Sequence, residues 1–298
     1  MNARDSLEID TRVVDAPDEP REKQGHVLDD PQRRREESAE LRQRVEGDWD
    51  ERPFKVDREE LGRFDLKRAG LPDMSIDSAA KYVEQHRASR PWLAMTDRAS
   101  PEAARIIAAM DAAGGHAHIR HEGWVTEEAN RCRVAYREDP AQLDRQQRHR
   151  SIDGLHAGDQ RHRTGEVASR IADPDACATA FARGIQDPRV REALERPTNS
   201  GRRPSEVAIS ISDLLGPDGY RHCTGWRLEP VGENMDDALR DRGSWVGVRT
   251  GGRVATVSEP QASPVPTFQG GEIVFAFTRN NSEQRYEVVT MFPRSAQQ

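Results

Sequence analysis

The sequence predicts an α+β protein in which N-terminal helices are followed by an antiparallel β-sheet, behind an acidic arm. Three observations carry that prediction. Charge is segregated: residues 1–60 hold 12 Lys+Arg against 19 Asp+Glu, whereas residues 61–298 hold 33 of each. Between about 52 and 200 the apolar residues recur at helical spacing behind Ser-Pro and Asp-Pro starts. After residue 203 the period drops to two, with Gly- and Asn-containing turns between the runs. Helices grouped ahead of strands is the α+β arrangement.

Taken in order, residues 1–51 alternate acids, arginines and prolines with one aromatic, Trp49. Such a composition does not offset its ordering entropy, so a largely disordered acidic arm is expected, with one polar helix over roughly Asp30 to Glu46. Ordered structure is expected from about 52, where Phe54, Leu61, Phe64 and Leu66 begin to recur, and residues 52–113 read as a small helical region. Ser75 or Asp77 caps a helix with Ile76, Ala80 and Val83 on one face. Ser100-Pro101 opens a second, carrying Ile106, Ile107 and Met110 and stopped by Gly114-Gly115. Asp173-Pro174 and Asp187-Pro188 open two more, with Cys177, Phe181 and Ile185 on the first and Val190 and Leu194 on the second. Residues 138–165 lack periodicity and read as a long Arg/His-rich loop. Val207 to Ile211 alternates as a strand, Gly216-Pro-Asp-Gly219 is a turn, and Tyr220 to Leu228 is its expected partner. Residues 234–249 fit a helix capped by Asn234, although Trp245 to Val248 equally fits a strand. The clearest hairpin joins Glu272–Phe277 to Tyr286–Phe292.

The length of 298 residues suggests about two domains, or one with an appendage. No apolar run approaches the ~18–20 residues of a membrane span. No basic-then-apolar leader is present, so the protein is expected to be cytoplasmic as synthesised, with any export by a leaderless route. Cys132, Cys177 and Cys223 form neither a metal-type pair nor an even framework. Arginine outnumbers lysine 41 to 4, a bias that a GC-rich genome explains more simply than phosphate recognition. No P-loop, Rossmann fingerprint or nucleophile elbow is present. His222 cannot readily activate Cys223, because neighbouring strand residues point to opposite faces.

The densest chemistry lies in Gly114-Gly-His-Ala-His-Ile-Arg-His121, with His116, His118 and His121 inside six residues. A metal is the first hypothesis. Against the His-x-His-x-Asp-His pattern of metallo-β-lactamases, the aspartate position holds Arg120, a cation that repels a metal. No later group completes a ligand set, so no metal and no cofactor is expected. Metal-free acid–base chemistry fits better: histidine titrates near neutrality, and Arg120, Arg131, Arg133 and Arg137 offer bidentate phosphate contacts. The plain alternative is a histidine that merely caps a helix C-terminus. Arg145 to Arg150 and Arg161 to Arg163 form a basic stretch that reads as a solvated loop or a nucleic-acid grip.

Gly114 to Gly123 resembles the GGHxxxxHxG opening of the RNase A-like toxin domains at the C-termini of bacterial contact-dependent inhibition and other polymorphic toxins. Those domains continue with a Thr, acidic residues and an Arg-Leu pair; here Thr126, Glu127-Glu128 and Arg133-Val134 follow, with one extra residue before the threonine. Their last strand ends in a TAYP-like tetrapeptide, matched by Thr290-Met-Phe-Pro293. The resemblance covers roughly 114–293, and it implies an RNase A-like α+β domain over 114–298, with insertions at about 138–165 and 203–258. It also implies His121 as the acid/base, Arg133 as the phosphate-stabilising arginine (Arg131 if the register slips by the extra residue) and Thr290 as a substrate-contacting hydroxyl. His116, His118, Arg120 and Phe292 complete the candidate site. Where the family commonly has tyrosine this chain has Phe292, so one hydroxyl is missing and a histidine (116, 118 or 222) substitutes for it or activity falls.

The implied reaction is metal-independent transphosphorylation of RNA, in a toxin-like endoribonuclease with an immunity-type protein partner. A non-catalytic binding or scaffold protein that keeps the fold is the competing class, and a histidine-cluster metalloenzyme is the third. The acidic arm is either a solvating tail or a mask over a basic cleft.

Overall fold

Helix starts follow the local chemistry of the chain. The computed structural model describes residues 53–115, 117–121, 123–139, 165–198, 204–249, 254–280 and 284–296. The arm at 1–51, its expected helix and the basic stretches at 145–150 and 161–163 lie outside the described residues. Helix α1 (Arg58–Gly62) is capped by Asp57, whose carboxylate accepts from the Glu60 N–H at 3.0 Å. Ser75 caps α2 (Ile76–His86), and Ser100, followed by a proline in the first turn, caps α3 (Pro101–Ala112). Asp173 and Asp187 do the same for α6 (Pro174–Gln186) and α7 (Pro188–Glu195). Helix α3 buries Ile106, Ile107 and Met110, and α6 buries Cys177, Phe181 and Ile185. The buried face of α2 departs from expectation. Ala79 and Val83 point inward, while Ile76 remains 41% exposed.

Among the described residues two short helices lie between α3 and the first strand: α4 (Ala117–Arg120) and α5 (Glu127–Tyr136). The later helices are α8 (Ile211–Leu215) and α9 (Met235–Arg249), so the helical alternative holds across Trp245 to Val248. The Asn234 carboxamide oxygen accepts from the Asp236 and Asp237 N–H groups, as its capping role requires.

The strands are β1 (Val167–Ile171), β2 (Val207–Ser210), β3 (Cys223–Leu228), β4 (Ala262–Pro264), β5 (Glu272–Asn280) and β6 (Arg285–Arg294). They form two three-stranded antiparallel sheets, ordered β1-β3-β4 and β2-β5-β6. The expectation of one sheet is therefore corrected to two. The expected pairing of Val207–Ile211 with Tyr220–Leu228 is corrected as well. Ser210 caps α8, which turns the chain out of the sheet; β2 then pairs with β5, and β3 with β1 and β4. Residues 203–258, read from sequence as an insertion, supply β2 and the inner strand β3 of the first sheet.

One apolar cluster joins the helices of 58–112 to the later sheet: Leu61, Phe64, Ile106 and Met110 pack with Phe181, Ile185, Ile273, Phe275 and Met291. Each large side chain so buried contributes roughly 1.5–3 kcal/mol. Close approach of α6 to β5 depends on Gly184, where a Cβ would lie 2.1 Å from the Phe275 ring. Among the described residues no helix is long and apolar enough to cross a membrane.

Candidate functional site

The segment around His121 is set by its glycines and its cap. Gly114, at φ +79°, ends α3 in the left-handed region. Gly123 passes so close to the next strand that a Cβ would meet the Ala172 carbonyl oxygen at 2.3 Å. Thr126 then caps α5 through its hydroxyl, 3.1 Å from the Ala129 N–H, with Glu127 and Glu128 in the first turn. The Thr-Glu-Glu stretch is thus a helix start.

His121 is fastened to β1 twice. Its carbonyl accepts from the Ile171 N–H at 2.8 Å, and its Nδ1 lies 2.9 Å from the Ser169 carbonyl oxygen. A carbonyl only accepts, so Nδ1 carries the hydrogen and Nε2 becomes the nitrogen that gains or loses a proton. The imidazole ring lies 5.4 Å, centroid to centroid, from the Phe292 ring.

Phe292 is delivered by a β-bulge. Opposite Ala276 stands Thr290, but opposite Phe277 stands Val288, so Val289 is an extra residue in β6. The bulge reverses side-chain parity. Val288 and Met291 both pack on the main core, which leaves Thr290 and Phe292 on the opposite face above Ala276 and Val274. The Ser169 hydroxyl donates to the Pro293 carbonyl at 2.5 Å and ties β1, and with it the His121 anchor, to this end of β6. Among the described residues the Thr290 hydroxyl, itself buried, has no hydrogen-bond partner.

Of the three arginines in the candidate site, Arg120 and Arg131 are paired with carboxylates and, among the described residues, Arg133 is not. Arg120 is buried in a bidentate pair with Asp139 at 3.0 and 2.7 Å. Its guanidinium locks α4 to the chain after α5, and this corrects its expected contact with substrate. Arg131 is likewise closed on Glu128 at 2.8 and 2.9 Å; burial lowers its pKa, but the Glu128 pair outweighs that and raises it. Arg133 donates one hydrogen bond, 3.0 Å to the carbonyl of Arg120, next to His121, and its Nε is buried with no partner. Among the described residues it has no carboxylate partner. Burial, reinforced by the nearby Arg120 charge and only partly opposed by Asp139, pushes its guanidinium down to about 10. One turn earlier on α5, the fully buried Asn130 carboxamide also has no partner on either atom among the described residues.

A second buried network was not legible in the sequence. Glu127 accepts from Arg170 at 3.0 and 2.6 Å, from the Thr224 hydroxyl at 2.8 Å and from the Trp226 indole at 2.8 Å. Arg170 also donates to the Val125 carbonyl at 2.5 Å. Burial pushes the Glu127 carboxyl up, but the Arg170 charge and these hydrogen bonds together hold it below the usual range. The network fixes the start of α5 against β1 and β3.

His118 lies on α4, although its side chain and all of His116 lie outside the described residues. His222 stands edge-on to Phe54 at 5.3 Å, and its carbonyl accepts from the Ala172 N–H at 2.7 Å. Cys223 is buried, and burial pushes its thiol far above the ordinary range, which removes it as a nucleophile. A cleft of about 800 Å³ lined by Phe64, Arg68, Ile185, Arg191 and Leu194 contains none of the candidate residues. No family model, no curated protein and no solved structure matches this chain.

Proposed function

We propose that the protein is a metal-independent endoribonuclease of RNase A-like type, acting through His121, Arg133 and the Thr290–Phe292 end of β6. One observation carries the reading. The segment 121–133 and the distant end of β6 supply an imidazole with a fixed hydrogen-bonding state, a guanidinium with its Nε buried and no carboxylate hydrogen-bonded to it among the described residues, and a buried hydroxyl with no partner among them.

In the reaction, His121 Nε2 takes the proton of a ribose 2′-OH. The 2′-oxygen attacks the adjacent phosphorus, the bond from phosphorus to the 5′-oxygen breaks, and a 2′,3′-cyclic phosphate forms. Arg133 meets the charge that grows on the non-bridging oxygens, the role for which an unpaired, preorganised cation is suited. The departing 5′-oxygen requires a proton. Phe292 has none to give, so the imidazolium of His121 returns the one it took. Positioned acid–base groups contribute about 10²–10⁴-fold, and a single lost donor is worth about 10²–10³-fold, which describes a working but slow enzyme. A toxin-like role is part of the proposal, and a gene for an immunity-type protein immediately downstream would support it.

The test is incubation with tRNA or total RNA in excess chelator. Products ending in 2′,3′-cyclic phosphate are expected, and intact RNA at high protein concentration overturns the proposal. A His121→Ala variant is expected to lose about 10²–10⁴-fold in kcat/KM. Equal activity in that variant rejects His121 as the base. Phe292 specifically favours a second reading, a binding protein on the same fold, which predicts RNA retention without cleavage.

A further inference from the structure

We propose that Trp92, Trp124 and Arg98 form a nucleotide subsite flanking the site of cleavage, the two indoles stacking on a base and Arg98 contacting its phosphate. The inference rests on the ribonuclease reading and names where a neighbouring nucleotide of the strand is held.

Trp124 follows His121 by three residues, and its indole N–H donates to the Ile119 carbonyl at 2.6 Å, two residues before that histidine. Trp92 lies 6.1 Å from it, centroid to centroid, with the rings inclined at 57°. The Trp92 N–H is also taken up internally. It donates at 2.7 Å to the buried Asp111, which accepts from Arg90 at 2.6 Å and from the Tyr82 hydroxyl at 2.8 Å. Both indoles are half-buried with their polar edges satisfied inside the protein, so what they offer outward is aromatic surface.

Arg98 ends the 3₁₀ helix Pro91–Arg98, two 3₁₀ turns beyond Trp92 along the same stripe. It is exposed, donates to the Gly123 carbonyl at 3.1 Å, and has no carboxylate partner among the described residues. Two inclined aromatic faces and an unpaired guanidinium beside the His121 loop are the parts of a single-strand nucleotide site: a stacking platform plus a phosphate contact.

The experiment measures affinity of the full chain for a short 2′-O-methyl oligouridylate, which lacks the attacking hydroxyl, and for an abasic oligomer of equal length. Base stacking is worth about 1–3 kcal/mol, so Trp124→Leu and Trp92→Leu are each expected to weaken oligouridylate binding roughly 5- to 150-fold. Binding of the abasic oligomer should be unchanged in both. Trp124→Phe keeps an aromatic face and is expected to recover most of the loss, which separates stacking from a general packing defect. Arg98→Gln, a surface change, is expected to weaken both oligomers and to lower the salt slope by about 0.7. Affinities within twofold of the parent in all four variants overturn the subsite. If RNA is cleaved but these variants leave KM unchanged, the subsite fails and the ribonuclease reading stands. If RNA is never cleaved but the binding losses appear, the subsite stands and the catalytic reading fails.

Discussion

The two ends of helix α5 treat arginines in opposite ways. At its start, Arg170 meets Glu127, Thr224, Trp226 and the Val125 carbonyl, and the charge is fully answered. Two turns on, Arg133 meets one backbone carbonyl among the described residues. A satisfied network specifies how helix and sheet dock, whereas an unanswered cation lowers stability and persists only where something outside the chain completes it. The difference separates what holds the protein together from what its proposed reaction uses.

Removing one partner from the satisfied end has the largest expected effect. Glu127→Ala leaves Arg170 buried and uncompensated, which costs about 3–5 kcal/mol and is read as a lower urea midpoint. A loss below about 1 kcal/mol, the range of exposed pairs, would show that the network is not structural. At the unanswered end, Arg133→Met should cut RNA cleavage about 10²–10³-fold while leaving the urea midpoint unchanged or raised. A marked loss of stability in that variant would erase the contrast between the two ends.

Two smaller effects sharpen it. Phe292→Tyr places a hydroxyl beside the His121 ring and is expected to raise kcat about tenfold or more, up to the ~10²–10³-fold worth of one donor. No gain would mean that the aromatic packs against His121 and takes no part in proton delivery. The pH dependence of stability is the finest probe. Glu127 is held below the ordinary carboxylate range, so its stabilisation is fully present above that range and is lost as pH falls through its folded-state value. Glu127→Gln should therefore show a shallower fall in urea midpoint between neutral and acid pH than the parent protein.

Much of this was legible locally. Ser75, Ser100, Asp173 and Asp187 announce their helices because a cap is read from adjacent residues, and the β5–β6 hairpin is plain in its alternation. Strand β1 was missed because Ala168, Ser169, Arg170 and Ile171 are all buried, so no inside–outside alternation exists to be read. The pairing of β2 depended on α8, a single turn of helix whose signal is weaker than that of the Gly-Pro-Asp-Gly turn beside it. In the site, His121 and Thr290 stood out by motif. The choice between Arg133 and Arg131 depended on where Glu128 points, and the isolation of Asn130 and the pairing of Arg120 depended on tertiary neighbours no spacing rule contains.

The extra residue at Val289 gives β6 a reading frame. Upstream of it, Val288 shares the core face with Phe277; downstream, Met291 shares it with Phe275. Delete that one residue with the pairing kept, and the ladder becomes regular: Met291 stays on the core face and Thr290 and Phe292 stay opposite Ala276 and Val274, but the bend and added twist of the bulge are lost. What inverts the face is a one-residue slip of the downstream half of β6 against β5, which turns Thr290 and Phe292 into the core and Met291 out toward His121.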